Sequence, residues 1–549
     1  MAVKTRITKL PETSLWANRR CLFICIIVSL ANMQYGLDSA IVGSLQAMPG
    51  FLKVFGYEDP SAVATKGYAI GGTFQRLIGS LLTLGAFLSS LCAGAFAHYW
   101  GRRSALWAAC ALNAVACVIQ VASSDKAAVY VGRLALGVAN GFLVTFSNIY
   151  TAEVAPFQLR AVFVALFSAN ISFVFGICAD SRQEWVNVGS IIGAAVANAT
   201  KGRMDKGSYQ IPLGTLFIVP VFLTIGLFFV PESPRYLVYK GDLQAGRASL
   251  EALRGDAMEP EELELEWAEM VEGIAEEKRI AQTIGPLDMF RGSDLRRTLL
   301  CHGIIATQSG SGAWFMISYA TYFMIVAGLS VEEAFKFSVM NTCLAFVGVN
   351  IGIYAMRHLC GRRTILMIGS VTQALTMLGM AVGPTTAMAQ GNRAAVRGSV
   401  ITFTALFMMA YNTFGGNASY PAATEMVSTR LRAWTVGSAT SLGYLLAWLT
   451  GFCSPYFINP ENLNWGAKYA YIWAGSNLLC LVFFYFAVPE TKDRTLEEID
   501  ELFANNVSVR NFKKYETTIL DKAARAVQEQ HKPEGIVTEH VDNATLKKE

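Results

Sequence analysis

The sequence predicts an all-α polytopic membrane protein: two six-helix bundles with a small cytoplasmic helical domain between them. Three observations carry this expectation. The chain of 549 residues is 53% hydrophobic and only 16% charged, with a mean hydropathy of +0.37, too apolar for a soluble chain of this size. Its apolar runs are each about 20 residues long, enough to cross a ~30 Å hydrocarbon core, and short polar turns separate them. Short motifs recur at matching places in the two halves.

Roughly twelve spans can be placed, centred near residues 33, 86, 114, 138, 170, 221, 312, 346, 372, 409, 445 and 479. If they alternate, "VKTRITK", "GRRS", "LCGRRT", "STRLR" and the charged tail share one side. The positive-inside rule makes that side cytoplasmic, with both termini inside. The basic loop "TKGRMDKG" (200–207) is the exception on the outside. The first apolar run is too long for a cleavable signal peptide and lacks a cleavage pattern. Eleven cysteines lie mostly within spans without ligand-like spacing and read as small apolar fillers.

The segments expected are a cytoplasmic stretch over 1–20, a first bundle over 21–231, a charged helix-prone linker over 232–298, a second bundle over 299–489, and a polar tail over 490–549 whose end reads as disordered. The halves share "HYWGRR" (98–103) with "HLCGRR" (358–363), "EVAPFQLRA" (153–161) with "EMVSTRLRA" (425–433), and "PESPR" (231–235) with "PETKDR" (489–494). Such repeats place a substrate site near the midplane between halves.

The repeat also exposes a mismatch. Glu153 to Pro231 is 78 positions but Glu425 to Pro489 is 64, so the first half carries about fourteen more. "ICADSRQEWVNVG" (177–189) reads as the surplus, because it puts Asp180, Arg182 and Glu184 inside the fifth span, where each charge costs several kcal/mol. Dropping it joins "SFVFG" to "SIIGAAV". It is either a stretch foreign to the fold, sequence normally removed before translation, or a re-entrant polar turn between two half-length segments.

Together with "GLD" in the first span, "GRLALGVANG" (132–141), "YTAEVAPFQLR" (150–160), "PESPRYL" (231–237) and "PETKDRTLEEID" (489–500), these motifs resemble the sugar porter family of the major facilitator superfamily. "STRLRAWTV" (428–436) and "NPENLNWGAK" (459–468) look most like its fungal maltose and α-glucoside permease branch. The resemblance implies two bundles rocking about a central cavity, which substrate enters from alternate faces.

Asp38 and Arg133 are the charges that apolar spans must explain. Asp38 lies about 15 Å inside the outer end of its helix, counted from Met48, and Arg133 about 6 Å, a gap that an extended arginine can bridge. Protonating the carboxylate changes the local charge by one, the physics of a proton-coupled switch. The family's use of the matching pair implies that role, and a fixed ion pair between helices is the alternative. At the inner ends stand Arg102, Arg103, Glu153, Arg160, Glu232 and Arg235, with Arg362, Arg363, Glu425 and Arg432 in the second half. Ion pairs across the halves there would close the inner face, the latch role the family implies. Alternatively the arginines anchor at headgroups. His98 and His358 replace the family's acidic position before each "GRR", which either weakens the latch or leaves two ordinary interface histidines.

A sugar site needs paired hydrogen-bonding side chains and an aromatic face. In the seventh span Gln308 matches the family's first glutamine, but Ser309 and Trp314 stand where a second glutamine and an asparagine are common. Tyr319, Tyr322, Asn341, Tyr420 and Asn417 are further candidates, with Asn170 near Ser168 in the fifth span. Gly415 and Gly416 would let the tenth helix bend. For any one polar residue an interhelical hydrogen bond worth ~0.6 kcal/mol is the plainer role, the better reading for Thr413 and Ser419.

No metal cluster, phosphate loop or nucleophile constellation occurs, and no strand precedes "GVANG", so the sequence predicts no enzyme, cofactor or nucleic-acid partner. The expected function is proton-coupled uptake of an α-glucoside or hexose across the plasma membrane. Transport of a non-sugar metabolite and a non-transporting sugar sensor are the rivals.

Overall fold

The computed structural model describes residues 18–60, 65–154, 181–255, 258, 260–283, 285–428, 430–492, 494, 496–505, 507–512 and 515. The described chain is almost wholly helical. Among the described residues, ten helical stretches are long and apolar enough to span a membrane. The first half contributes α1 (Arg19–Leu45), α3 (Gly72–Trp100), α4 (Arg102–Ala122), α5 (Lys126–Val154), and α7 with α8 (Gly207–Thr215, Ile218–Leu227). The second contributes α14 (Val331–Tyr354), α15 (Arg362–Ala389), α16 with α17 (Arg393–Ala410, Gly416–Met426), α18 (Arg432–Ile458) and α19 (Ala470–Phe486). The two remaining positions are filled by α6 (Ser181–Thr200) and by a broken helix, α12 (Gly292–Gly310) and α13 (Ala313–Val326). Outside the membrane, α2 (Pro49–Phe55) and a two-stranded hairpin, β1 (Tyr57–Glu58) with β2 (Tyr68–Ala69), follow α1. Between the halves lie α9 (Pro234–Lys240), α10 (Leu243–Arg254) and α11 (Pro260–Thr283), and α20 (Leu496–Ala504) follows the last span.

Small residues let the helices meet. A Cβ on Gly189 of α6 would fall 2.1 Å from the Met33 carbonyl oxygen of α1, and one on Gly36 would fall 1.8 Å from that of Val186. Gly85 and Gly137 join α3 to α5 in the same way. In a bilayer, where lipid tails are as apolar as leucine, such close approach supplies the contact energy. Leu91, Val115, Phe222, Phe229, Leu375 and Leu479 point outward and are exposed, as lipid-facing residues are.

Two local devices shape the centre. The seventh span breaks at Ser311–Gly312, where Gly312 has φ +83°, a conformation that suits glycine. The tenth opens into a π-helical turn over Tyr411–Gly415, beside the paired glycines.

The fifth span is described only in part. A centre near 170 lies outside the described residues, and the helix that packs on α1 is centred near 190. Of the stretch 177–189, residues 177–180 also lie outside the described residues, while 181–189 open α6.

Candidate functional site

Asp38 sits in the outer half of α1, wholly buried, and its Oδ1 accepts a 2.6 Å hydrogen bond from Arg133 Nη1 on α5, itself 1% exposed. Oδ2 accepts from Asn140 Nδ2 at 3.5 Å. Asn140 Oδ1 in turn accepts from Asn113 of α4, and Asn113 Oδ1 accepts from Gln34 of α1. A charged pair in hydrocarbon survives only with such support. The pair was legible from sequence; the amide chain behind it was not, because an asparagine in an apolar helix carries no sign of which neighbour it meets.

Beside this pair lies a cavity of about 190 Å³ between the halves. Tyr35, Ser39, Gln183, Asn187 and Ser190 line it from α1 and α6; Gln308, Trp314, Asn341, Tyr411, Asn412, Tyr420 and Tyr444 line it from the second half. Gln183 Nε2 donates to Asn412 Oδ1 at 3.3 Å across the halves. The Tyr35 hydroxyl and Asn341 Oδ1 are buried without hydrogen-bond partners. A hydroxylated ligand would satisfy such groups, since a buried polar atom left unmade costs its full desolvation.

Of the residues the sequence singled out, Gln308, Trp314, Asn341 and Tyr420 line this cavity. Four other candidates do not line this cavity. Tyr319 donates to the Gly451 carbonyl at 2.6 Å, and Tyr322 to Asn459 Oδ1 at 3.1 Å, both toward the outer end of α18. Asn417 donates to the Val349 carbonyl at 2.9 Å, tying α17 to α14. Ser309 is buried and its hydroxyl has no partner. Asn170 and Ser168 lie outside the described residues. The sequence reading missed Tyr35, Gln183, Asn187, Tyr411, Asn412 and Tyr444; the π-helical turn turns Tyr411 and Asn412 inward, and no local signal announces that turn beyond the two glycines.

The inner ends repeat one construction. Glu153 pairs with Arg102 at 2.7 Å and accepts from Ser233; Glu425 pairs with Arg362 at 3.1 Å and accepts from Thr491. Glu232 accepts from the backbone N–H groups of Arg102 and Arg103 at the start of α4, and Glu490 from that of Thr364 at the start of α15. A carboxylate at a helix N-terminus meets unpaired N–H groups and a favourable dipole. This is why "GRR" and "PES" or "PET" travel together.

Arg103 donates to the Leu227 carbonyl, Arg363 to that of Tyr485, and Arg235 pairs with Glu277 of α11. Arg160 lies outside the described residues. Among the described residues, the ion pairs of these arginines and carboxylates close within one half or onto the linker, and Arg432 Nε and Nη2 have no partner. His98 packs against Tyr99 and Tyr239, and His358 against Tyr354. No group of His, Cys, Asp and Glu among the described residues could hold a metal ion.

Residues 24–503 match the family model described as sugar (and other) transporter. The chain belongs to that family. It is 28% identical over 519 residues to the major facilitator-type transporter ecdD of Aspergillus rugulosus, covering 92% of each chain. It is also 28% identical to a general alpha-glucoside permease of Saccharomyces cerevisiae, over 95% of this chain and 79% of the permease. Glucose transporters and a glucose sensor match at similar identity, so no single branch stands out. An inward-open structure of the xylose transporter XylE from E. coli superposes with a TM-score of 0.65 at 18% identity, over 87% of this chain and 99% of that one. The fold is thus that of the major facilitator superfamily, and the protein is a multi-pass membrane transporter, not an enzyme.

Proposed function

We propose that the protein carries a hexose or α-glucoside into the cell with protons, at the plasma membrane, with both termini cytoplasmic. The observation that carries this reading is the wholly buried Asp38–Arg133 pair beside an amide- and tyrosine-lined cavity. With both groups ionised the pair is neutral. A proton on the Asp38 carboxylate leaves Arg133 uncompensated and free to turn, which changes the helix packing around Tyr35. Gln308 and Asn341 would meet sugar hydroxyls, and Tyr420 or Trp314 the apolar ring face. Ion pairs at Glu153 and Glu425 would exchange partners as the inner face opens and closes, with Arg432 a free donor for the closed state.

The test is uptake of labelled glucose and maltose, with and without a protonophore, in cells lacking their own sugar transporters. Protonophore-sensitive accumulation is expected, and Asp38→Asn should retain exchange but lose accumulation. An Asp38→Asn protein that still concentrates substrate would remove coupling from this residue.

A second reading, transport of a non-sugar metabolite, is favoured by the aromatic wall of Tyr35, Trp314, Tyr411, Tyr420 and Tyr444. A substrate screen decides between the two. Uptake of any substrate would dismiss a sensor that does not transport.

We also infer that the surplus of the first half lies before Gln183 rather than across 177–189. Gln183, Val186 and Asn187 line the cavity, and Gly189 packs on α1, so these residues serve the span. In the second half the cavity residue Tyr444 follows Glu425 by 19 positions, whereas Gln183, Val186, Asn187 and Ser190 follow Glu153 by 30 to 37. Removing about fourteen residues brings the two intervals into register. Uptake by a chain lacking 168–182 or 169–182, and its loss in a chain lacking 177–189, is the expected result. The reverse order would restore the first assignment.

A further inference from the structure

We propose that Gln75, Asn459 and Tyr322 form the outer gate of the transport path, closed in this structure over a small chamber that reaches Arg133. The inference rests on the transport reading above. Gln75 lies at the outer start of α3 and is wholly buried; Asn459, immediately after α18, is 2% exposed. Asn459 Nδ2 donates to Gln75 Oε1 at 2.8 Å, and Asn459 Oδ1 accepts from the Tyr322 hydroxyl at 3.1 Å. One amide at the end of α18 thus ties α3 of the first half to α13 of the second. Two neighbours reinforce the closure: Gln46 Nε2 donates to the Ser318 carbonyl at 3.3 Å, and the Tyr57 hydroxyl of the hairpin donates to the Glu461 carboxylate.

Beneath the relay the helix α3 descends through Gly79 and Thr83, about 6 and 12 Å deeper. These residues line a chamber of about 20 Å³ with Gln46, Trp314, Ser318 and Arg133. That is room for one water. Arg133 Nε is buried there without a partner, so the chamber presents an unmet donor of the coupling pair directly below the relay. A path from outside to Asp38 and Arg133 that follows α3 must part Gln75 from Asn459.

The relay is built to open. Gln75 Nε2 has no partner of hydrogen-bond geometry while the gate is shut. When the halves part, water satisfies all three side chains, so closure is held without being locked. That balance is what alternating access requires.

The test places a reporter in the chamber. In the full-length chain carrying Ser318→Cys, labelling from outside by a membrane-impermeant maleimide is compared with the chain retaining Ser318, which corrects for the native cysteines. Asn459→Ala and Gln75→Ala should each speed labelling at least fivefold at equal surface amount, and the double variant no more than the faster single, because one bond serves both. Tyr322→Phe removes a single hydroxyl and should speed labelling about twofold, which keeps the test available if an alanine variant fails to reach the surface. Labelling at the parent rate in the variants that reach the surface, or no labelling in any of them, overturns the proposal. The readout needs no substrate: faster labelling in a protein that moves neither glucose nor maltose would sink the sugar reading and leave the gate standing.

Discussion

The two halves share a fold and divide the chemistry. The first half places a full charge pair in its core, Asp38 with Arg133, braced by Asn140, Asn113 and Gln34. Among the described residues the second half has no counterpart at that depth; Arg362–Glu425, Arg297–Asp500 and Arg430–Asp294 lie at the inner end, and Lys336–Glu332 is exposed at the outer start of α14. What it contributes to the centre is neutral: Gln308, Asn341, Asn412, Trp314 and three tyrosines. Duplication supplied one architecture twice, and burial then fixed what each copy can do. The first half spends Gln34, Asn113 and Asn140 on bracing its ion pair and still turns Gln183 and Asn187 toward the cavity, whereas the amides the second half brings to the centre have no charge pair to brace.

The largest effect that bears on this contrast comes from unpairing the charge. Arg133→Leu leaves Asp38 buried alone and should cost about 3–5 kcal/mol, whereas Arg362→Ala at the partly exposed second-half ion pair should cost about 1 kcal/mol or less. Thermal melting of the purified proteins in detergent measures both. Equal losses would mean that the core pair is not desolvated in the folded protein.

Next come the two glycines that precede the arginine pairs. Gly101 has φ +87° and ψ 176°, a region suited to glycine, and Gly361 has φ −78°. A Cβ on either meets the capping carboxylate, Glu232 or Glu490. Gly101→Ala should therefore be worse than Gly361→Ala by about 1–3 kcal/mol, the strain that only the first-half site carries. The same melts decide it, and equal losses would assign the whole effect to the carboxylates.

A smaller effect separates ligand contact from coupling. Gln308→Ala and Asn341→Ala should each raise the substrate KM about two- to tenfold, the loss of one hydrogen bond of ~0.5–1.5 kcal/mol, and leave the accumulation ratio unchanged. A fall in accumulation at saturating substrate would show that the second half also handles the proton. The smallest effect is expected at Ser90, whose hydroxyl meets Ser441 at 2.8 Å across the halves. Ser90→Ala removes a contact worth ~0.6 kcal/mol, so equilibrium exchange should change by about threefold or less.

The charge pair could be read from sequence because an isolated carboxylate in an apolar span demands a partner, and few cations are in reach. The architecture could be read because span length and repeated motifs are one-dimensional signals. Tyr319 and Tyr322 were harder. A tyrosine in an apolar helix looks the same whether it faces lipid, a neighbour or a cavity, and only the partners Gly451 and Asn459 settle their direction. Gln183 and Asn187 were masked by composition, since three charges nearby made their stretch look foreign to a membrane. Burial of Glu184 within the packed helix shows that charge content alone is a poor boundary marker there.

The break in the seventh span also has a mechanical consequence. Gln308 stands before Gly312, while Trp314, Ser318 and Tyr322 stand after it, so the inner piece that reaches the cavity and the outer piece that runs from the cavity toward the exterior meet at one glycine. Stiffening that joint would couple the two ends of the path like a rigid rod, and neither could tilt without dragging the other. The single glycine instead acts as a clutch between them.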